Sequence, residues 1–339
     1  MDKLNISIKN YLNPKGLRGF FLKIFYFFSD YTISVRGSLG SGVLLFINNE
    51  FSLRKDHYKQ LERVYLSLLE RGVDVVFVSA TRRLTFFGKF NFKKQFEKVF
   101  LKIGSNYEKV LVFCDSVPLQ NFLVSKYNTN KVPTYSLQHG FYIEDSNEVF
   151  LNVYKSSNAK NFFVWDKRTL QYMKKHNFDR NYILVGPHLE KEYSSNSISV
   201  KSKYQIAIYG CGKDQNEEND YLKKVYFFLK SKDIKTVIIP HPKWTIFDKI
   251  FFYFKNNIWL KSNKLKHCSF DLSLVLNSTV FNELKVRGEK YKILNSYFKS
   301  GIIPSVEQMF DADNERMDVL SPFSDVKESL SIIINSLKV

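Results

Sequence analysis

Residues 110–140 read VLVFCDSVPLQNFLVSKYNTNKVPTYSLQHG, and this stretch decides the fold. An apolar run rich in β-branched residues (110–114) is followed by Asp115-Ser116, a helical stretch over 117–126 and a second short strand-like run, 134–137. Strands buried on both faces read as unbroken apolar runs, and two of them joined through a helix lie parallel. Asp115 and Ser116 have the side chains that cap such a helix.

The same rhythm extends both ways. Upstream, 43–48 (VLLFIN) and 73–79 (VDVVFVS) read as strands, and Lys55–Glu70 carries Leu61, Val64, Tyr65, Leu68 and Leu69 at helical spacing. A helix is expected over 92–103. Downstream, a second copy begins near Ile183, with strands at 183–185, 204–209, 236–239, 272–276 and 292–294. Helices are expected over 220–230, 246–254 and 280–286, with an amphipathic terminal helix over 325–338. No long run alternates polar with apolar, so the sheets are expected to be parallel. The architecture implied is α/β, two Rossmann-like domains with parallel sheets facing an interdomain cleft. The expected division is a basic aromatic segment (1–40), an N-terminal domain (41–165), a connection (166–185), a C-terminal domain (186–322) and a terminal helix (323–339).

Composition narrows the function classes. The 339 residues are 44% hydrophobic and 16% aromatic, enough for a large core, and net charge is +18. Such a charge favours polyanions, anionic lipid or phosphate-bearing substrates. Dispersed lysines without a helix-turn-helix, zinc-finger or RNA-recognition pattern argue against nucleic acid. Three separated cysteines form no disulfide framework and fit a reducing compartment. Residues 15–28 set Lys15, Arg18 and Lys23 among Phe20, Phe21, Ile24, Phe25, Phe27 and Phe28. This reads either as a helix lying in a membrane interface or as one packing its aromatic face on the domain. No signal peptide is read, and the expected location is cytoplasmic, peripheral on an inner membrane.

Chemistry-bearing residues cluster where strands end, the edge at which parallel α/β sheets bind ligands. Gln138-His139-Gly140 follows strand 134–137, and a neutral imidazole there would accept a proton from a hydroxyl near neutral pH. Glu144 and Asp145 follow at once and are rival bases, with His139 then a positioning donor. His241-Pro242 ends strand 236–239, where Pro240 and Pro242 restrict the backbone and His241 suits a departing phosphate. Ser278-Thr279 at a helix start would cap it, or would face a phosphate with the helix N–H groups, with Glu283 placed for ribose hydroxyls. Gly210-Cys211-Gly212-Lys213 lacks the dinucleotide and P-loop spacings, yet suits the lining of donor phosphates. No metal ligands are assigned, and no cofactor is expected beyond a nucleotide-sugar donor as substrate.

These motifs resemble those of GT-B glycosyltransferases of bacterial surface-polysaccharide assembly. Residues 163–166 and 182–187 resemble the interdomain connection of that superfamily, and Gln138-His139-Gly140 is similar to a motif of capsule and O-antigen transferases. His241-Pro242 and Ser278-Thr279 resemble the His-Pro and Ser-Ser/Thr motifs of bacterial sialyltransferases and related CMP-sugar enzymes. The resemblance implies an inverting, metal-independent sialyltransferase using a CMP-sialic acid donor and a lipid-linked oligosaccharide acceptor at an anionic membrane surface. His241, Pro242, Ser278, Thr279, Glu283, Gly210, Gly212 and Lys213 would then hold the donor, and Gln138 and Gly140 the acceptor. The base would be Asp145, Glu144 or His139; Ser146 stands where the family's carboxylate motif has Gly. The other readings are a UDP-sugar glycosyltransferase, a UDP-N-acetylglucosamine 2-epimerase-like enzyme, a CDP-glycerol-type phosphotransferase, and a peripheral membrane or polyanion-binding protein without activity.

Overall fold

A computed structural model describes residues 3–4, 28–49, 55–85, 91–138, 155–165, 167–176, 179–185, 201–211, 216–240, 244, 246–256, 258, 260, 268–276, 280, 284, 289–310 and 326–338. The chain forms two compact units, one of Met1–Glu190 with Val319–Val339, the other of Lys191–Asp318.

The first unit contains β1 (Ser29–Arg36), β2 (Val43–Asn49), α1 (Lys55–Glu70), β3 (Val75–Leu84), α2 (Phe92–Ile103), β4 (Lys109–Val112), α3 (Pro118–Thr129), β5 (Thr134–Leu137), β6 (Asn161–Val164), α4 (Lys167–His176) and β7 (Asn181–Leu184). Its sheet runs β1-β3-β2-β4-β5-β6-β7. The strands alternate between two cores. Leu44, Phe46, Val76, Val78, Val110 and Val112 pack beneath Phe96, Val99 and Ile103 of α2 and Phe122, Leu123 and Tyr127 of α3. Their neighbours Val43, Leu45, Ile47, Val75, Phe77 and Leu111 meet Leu61, Val64 and Leu68 of α1 on the other face. Two covered faces explain why these strands are apolar throughout.

The second unit contains β8 (Ile206–Tyr209), α5 (Asn216–Ser231), β9 (Thr236–Ile239), α6 (Ile246–Asn256), β10 (Leu272–Val275), β11 (Tyr291–Ile293), α7 (Asn295–Ser300) and α8 (Val306–Phe310). Its sheet, β11-β10-β8-β9, is wholly parallel. Ile206, Ile208, Leu272 and Leu274 pack against Tyr221, Leu222, Val225 and Leu229 of α5. The last helix, α9 (Val326–Leu337), returns to the first unit, where Ile333, Ile334 and Leu337 join the core with Leu61, Val64 and Leu68. Among the described residues no helix is long and apolar enough to cross a membrane.

Several expectations change. The first sheet is not purely parallel, because β1 pairs antiparallel with β3 from Ser29↔Leu84 to Arg36↔Phe77, and this ladder carries β3 on to Leu84. The second set of strands starts at β8, not near Ile183, since β7 pairs in parallel with β6 in the first sheet. The stretch 166–185, read as a connection, supplies α4 and β7. Asp115 and Ser116 do not cap α3; its N-cap is Val117, with no side-chain cap and with Pro118 opening the helix. The helix expected over 280–286 and the aromatic segment 15–28 lie almost wholly outside the described residues.

Candidate functional site

Among the parallel strands of each sheet the order reverses once, and ligands of open α/β sheets bind beyond the carboxyl ends of the strands flanking that point. In the second unit it lies between β8 and β10, because β9 and β10 sit on opposite sides of β8. Beyond β8 come Gly210 and Cys211. Gly210 N–H donates to the Ile239 carbonyl of β9 at 2.9 Å. The buried Cys211 thiol donates to the Leu276 carbonyl, just past β10, at 3.1 Å. Trp244 Nε1–H donates in turn to the Cys211 carbonyl at 3.0 Å. Burial, reinforced by the charge of Glu218, pushes the Cys211 thiol far above its ordinary range, so it stays protonated and remains a donor.

These contacts fasten together the described residues beside three motifs. Leu276 stands two positions before Ser278, Cys211 one before Gly212, and Trp244 three after His241. A hollow lined by Gly210, Ile238, Pro240, Trp244, Phe252 and Leu260 has room for about one water and is too small for a nucleotide. Of the donor residues named from the sequence, Gly210 is described; Gly212, Lys213, His241, Pro242, Ser278, Thr279 and Glu283 lie outside the described residues.

In the first unit Gln138 is fully buried. Its backbone N–H donates to the Phe163 carbonyl at 3.0 Å, its Oε1 accepts from Trp165 N–H at 2.6 Å, and its Nε2 donates to Thr169 Oγ1 at 3.2 Å. The amide thus ties the end of β5 to the end of β6 and the first turn of α4. His139, Gly140, Glu144 and Asp145 lie outside the described residues.

The sequence reading missed His57. The first sheet reverses between β2 and β4, and His57 stands in the first turn of α1, after β2. Its ring stacks on Phe113, just past β4, at 4.4 Å and 28°. Only the strand order, which no local pattern reveals, marks that position. A second overlooked feature is Asp115. Its carboxylate accepts from Ser157 Oγ (2.5 Å), Asn158 N–H (2.5 Å), Ala159 N–H (2.6 Å) and Arg180 (3.3 Å). Burial raises its pKa, but Arg180 and these donors outweigh burial and hold it below the usual carboxylate range. Cys114 beside it, its Sγ 3.0 Å from Ser116 Oγ, is pushed up to about 11 by burial, so it is no nucleophile at neutral pH.

No protein-family model matches the chain, and no curated protein matches it in sequence. Solved structures do match in fold. A candidate UDP-N-acetylglucosamine 2-epimerase from Listeria monocytogenes aligns over 86% of this chain and 95% of its own, with 10% identity and a TM-score of 0.50. OtsA, in an apo structure, aligns over 87% of this chain and 99% of its own, with 8% identity and a TM-score of 0.50. The fold is GT-B. In GT-B terms, both α/β units are Rossmann-like, and the fastened strand ends of the second unit lie at the carboxyl edge of its sheet, where open α/β sheets in general bind ligands. At such identities the likeness carries the fold alone.

The metal independence expected above goes with the absence of an Asp-x-Asp pair that could hold a Mg²⁺ or Mn²⁺ ion. The chain has one, Asp311-Ala312-Asp313, outside the described residues.

Proposed function

We propose that the chain is a nucleotide-sugar-dependent glycosyltransferase. The observation that carries this reading is the joined β9-β8-β10 edge, where Gly210, Cys211, Leu276 and Trp244 bring the flanks of three phosphate-suited motifs together. In this reading Ser278 and Thr279 hold the donor phosphate, Gly210, Gly212 and Lys213 line it, and Glu283 takes the ribose. His241, set by Pro242, meets the charge that develops as the nucleotide departs. An acceptor hydroxyl oxygen attacks the anomeric carbon while the bond from that carbon to the phosphate oxygen breaks. The electron pair leaves with the nucleotide, and the proton goes to Asp145, Glu144 or His139. Gln138 keeps that turn in place, with Gly140 beside the acceptor.

The finer proposal is a CMP-sialic acid donor and a lipid-linked oligosaccharide acceptor, supported by the His241-Pro242 and Ser278-Thr279 pair. A second reading is UDP-sugar chemistry, the kind that one structure of like fold, a candidate UDP-N-acetylglucosamine 2-epimerase, is named for. Nucleotide release from CMP-sialic acid and from UDP-sugars, each with and without acceptor, separates them. Release from CMP-sialic acid is expected, and turnover of UDP-sugars alone would overturn the sialyl assignment. Epimerisation of UDP-N-acetylglucosamine without an acceptor would replace transfer altogether. His241→Ala is expected to lower turnover about 10²–10³-fold while leaving the thermal unfolding curve in place. Turnover is expected to survive EDTA; a loss restored by Mg²⁺ would assign Asp311 and Asp313 a metal-binding role.

A further inference from the structure

Strand β1 (Ser29–Arg36) is the outer strand of the first sheet and, among the described residues, pairs only with β3. The Thr85 N–H donates to the Phe28 carbonyl at 2.7 Å. Alternation along the antiparallel ladder then turns the backbone groups of Asp30, Thr32, Ser34 and Arg36 toward β3 as well. Ser29, Tyr31, Ile33 and Val35 turn theirs outward. The chain's own side chains close the first part of this edge. Gln95 Nε2 donates to the Ser29 carbonyl at 2.9 Å, and Asp30 Oδ1 accepts from the Tyr31 N–H at 2.8 Å. Beyond it, the N–H and carbonyl groups of Ile33 and Val35 have no partner among the described residues, and Val35 is 37% exposed.

Open edge groups of this kind take a further strand. The sequence of β1 selects which one. Two copies of β1 laid antiparallel about a two-fold axis at Ile33 set Ile33 against Ile33, and Tyr31 against Val35, as hydrogen-bonded pairs. Every open group of Ile33 and Val35 then has a partner, and the Tyr31 N–H exchanges Asp30 for the Val35 carbonyl of the other copy. Asp30 and Arg36 come face to face twice, in the closely spaced pairs that share no backbone bond. Within each copy Asp30 holds Lys98 at 2.6 Å, and Arg36 holds Glu62 at 2.5 Å. Charges across the junction therefore alternate in sign, Lys98, Asp30, Arg36, Glu62. The edge is neutral on a chain whose net charge is +18, so two copies meet there without local repulsion. An unrelated strand would bond the backbone without supplying these crossed charges.

We infer that two copies of this chain join through β1, antiparallel about Ile33, into one continuous sheet. The contact is isologous, each copy giving the other the same residues. It does not rest on glycosyl transfer.

Sedimentation of the full chain is expected to show a dimer. Val35→Pro removes a donor that faces away from β3, at the kind of edge position where proline is tolerated. It is expected to weaken dimerisation about tenfold or more without moving thermal unfolding. A register-specific cross-link decides independently of that variant. In chains with Cys268→Ser, whose remaining cysteines are buried, Thr32→Cys and Ser34→Cys are made separately, mixed and oxidised. Both positions are exposed. In the inferred register they oppose each other with Cα atoms about 4.5 Å apart, within reach of a disulfide. The mixed disulfide is expected to exceed either like-with-like product. A chain that stays monomeric at about 100 μM overturns the inference. So does a folded Val35→Pro chain that dimerises as tightly as the original. Like-with-like disulfides equal to the mixed product overturn the pairing about Ile33.

Discussion

Asp115→Ala is expected to destabilise the first unit by about 3–5 kcal/mol, the cost of breaking a buried ion pair from one side. Asp115 and Arg180 side chains are each only 2% exposed. Removing the carboxylate strands the guanidinium together with the hydroxyl of Ser157 and two backbone N–H groups. Arg180 also donates to Ser157 Oγ, so the whole junction loosens. Asp115 reaches from the end of β4 to the segment entering β6 and to Arg180 before β7, and its own N–H bonds Ser136 Oγ in β5 at 3.2 Å. Adding Arg180→Met should recover part of the loss, because the uncompensated charge goes with it. Acid titration supplies a second check. Native Asp115 titrates below its unfolded value of about 3.9, so its contribution is complete above that pH. It fades as pH falls through the lower, native pKa. The gap between the native chain and Asp115→Ala, from urea unfolding at stepped pH, should therefore be constant near neutrality and narrow well below pH 4. A gap that is small at neutrality, or that does not close in acid, would mean the pair is not the staple of these strands.

Asp115 also shows where sequence reading stops. In the chain it precedes a helix and looks like a cap, which is a local inference. In the fold it serves partners more than forty residues away, and no spacing announces a long-range ion pair. The elements carried by short-range periodicity were legible: Lys55–Glu70, Phe92–Ile103, Thr134–Leu137 and Thr236–Ile239 fall where pattern placed them. The antiparallel β1 was not. Its inward positions include Ser29 along with Tyr31 and Ile33, so it lacks the apolar run of its neighbours. Pairing with a strand 41 to 55 residues away made it a strand (Arg36↔Phe77, Ser29↔Leu84). For the candidate site, motif and strand were legible, whereas strand order was not. Order alone puts β8 between β9 and β10, and it alone brings His57 to the reversal point of the first sheet. Crossover direction follows from contacts across the whole unit rather than from any segment.

The same non-local logic predicts the largest effect, removal of α9. A chain ending before Val326 is expected to lose cooperative folding of its first unit. Ile333, Ile334 and Leu337 are fully buried among Leu61, Val64 and Leu68, although more than 250 residues separate them in sequence. Burying three such side chains is worth about 5–9 kcal/mol, comparable with the entire stability of an ordinary domain. Polar contacts lock the helix in place: Arg71 donates to Asn335 Oδ1 at 3.1 Å, and Lys109 Nζ to the Ser336 carbonyl at 3.2 Å. Ile333→Ala alone should cost about 2–5 kcal/mol through the cavity it leaves. Truncation should further expose the α1 face, binding a hydrophobic dye at temperatures where the full chain is folded. Hydrogen exchange resolved by segment provides the measurement, with amides of α1 and β2 losing protection and those of β8 and β10 keeping it. Uniform protection in the truncated chain would refute the dependence of the first unit on α9. Loss in both units would mean that they fold as one body. The expected pattern, loss in the first unit alone, makes the C-terminus the closing element of the N-terminal core. The first unit then completes its fold only after the second has been synthesised.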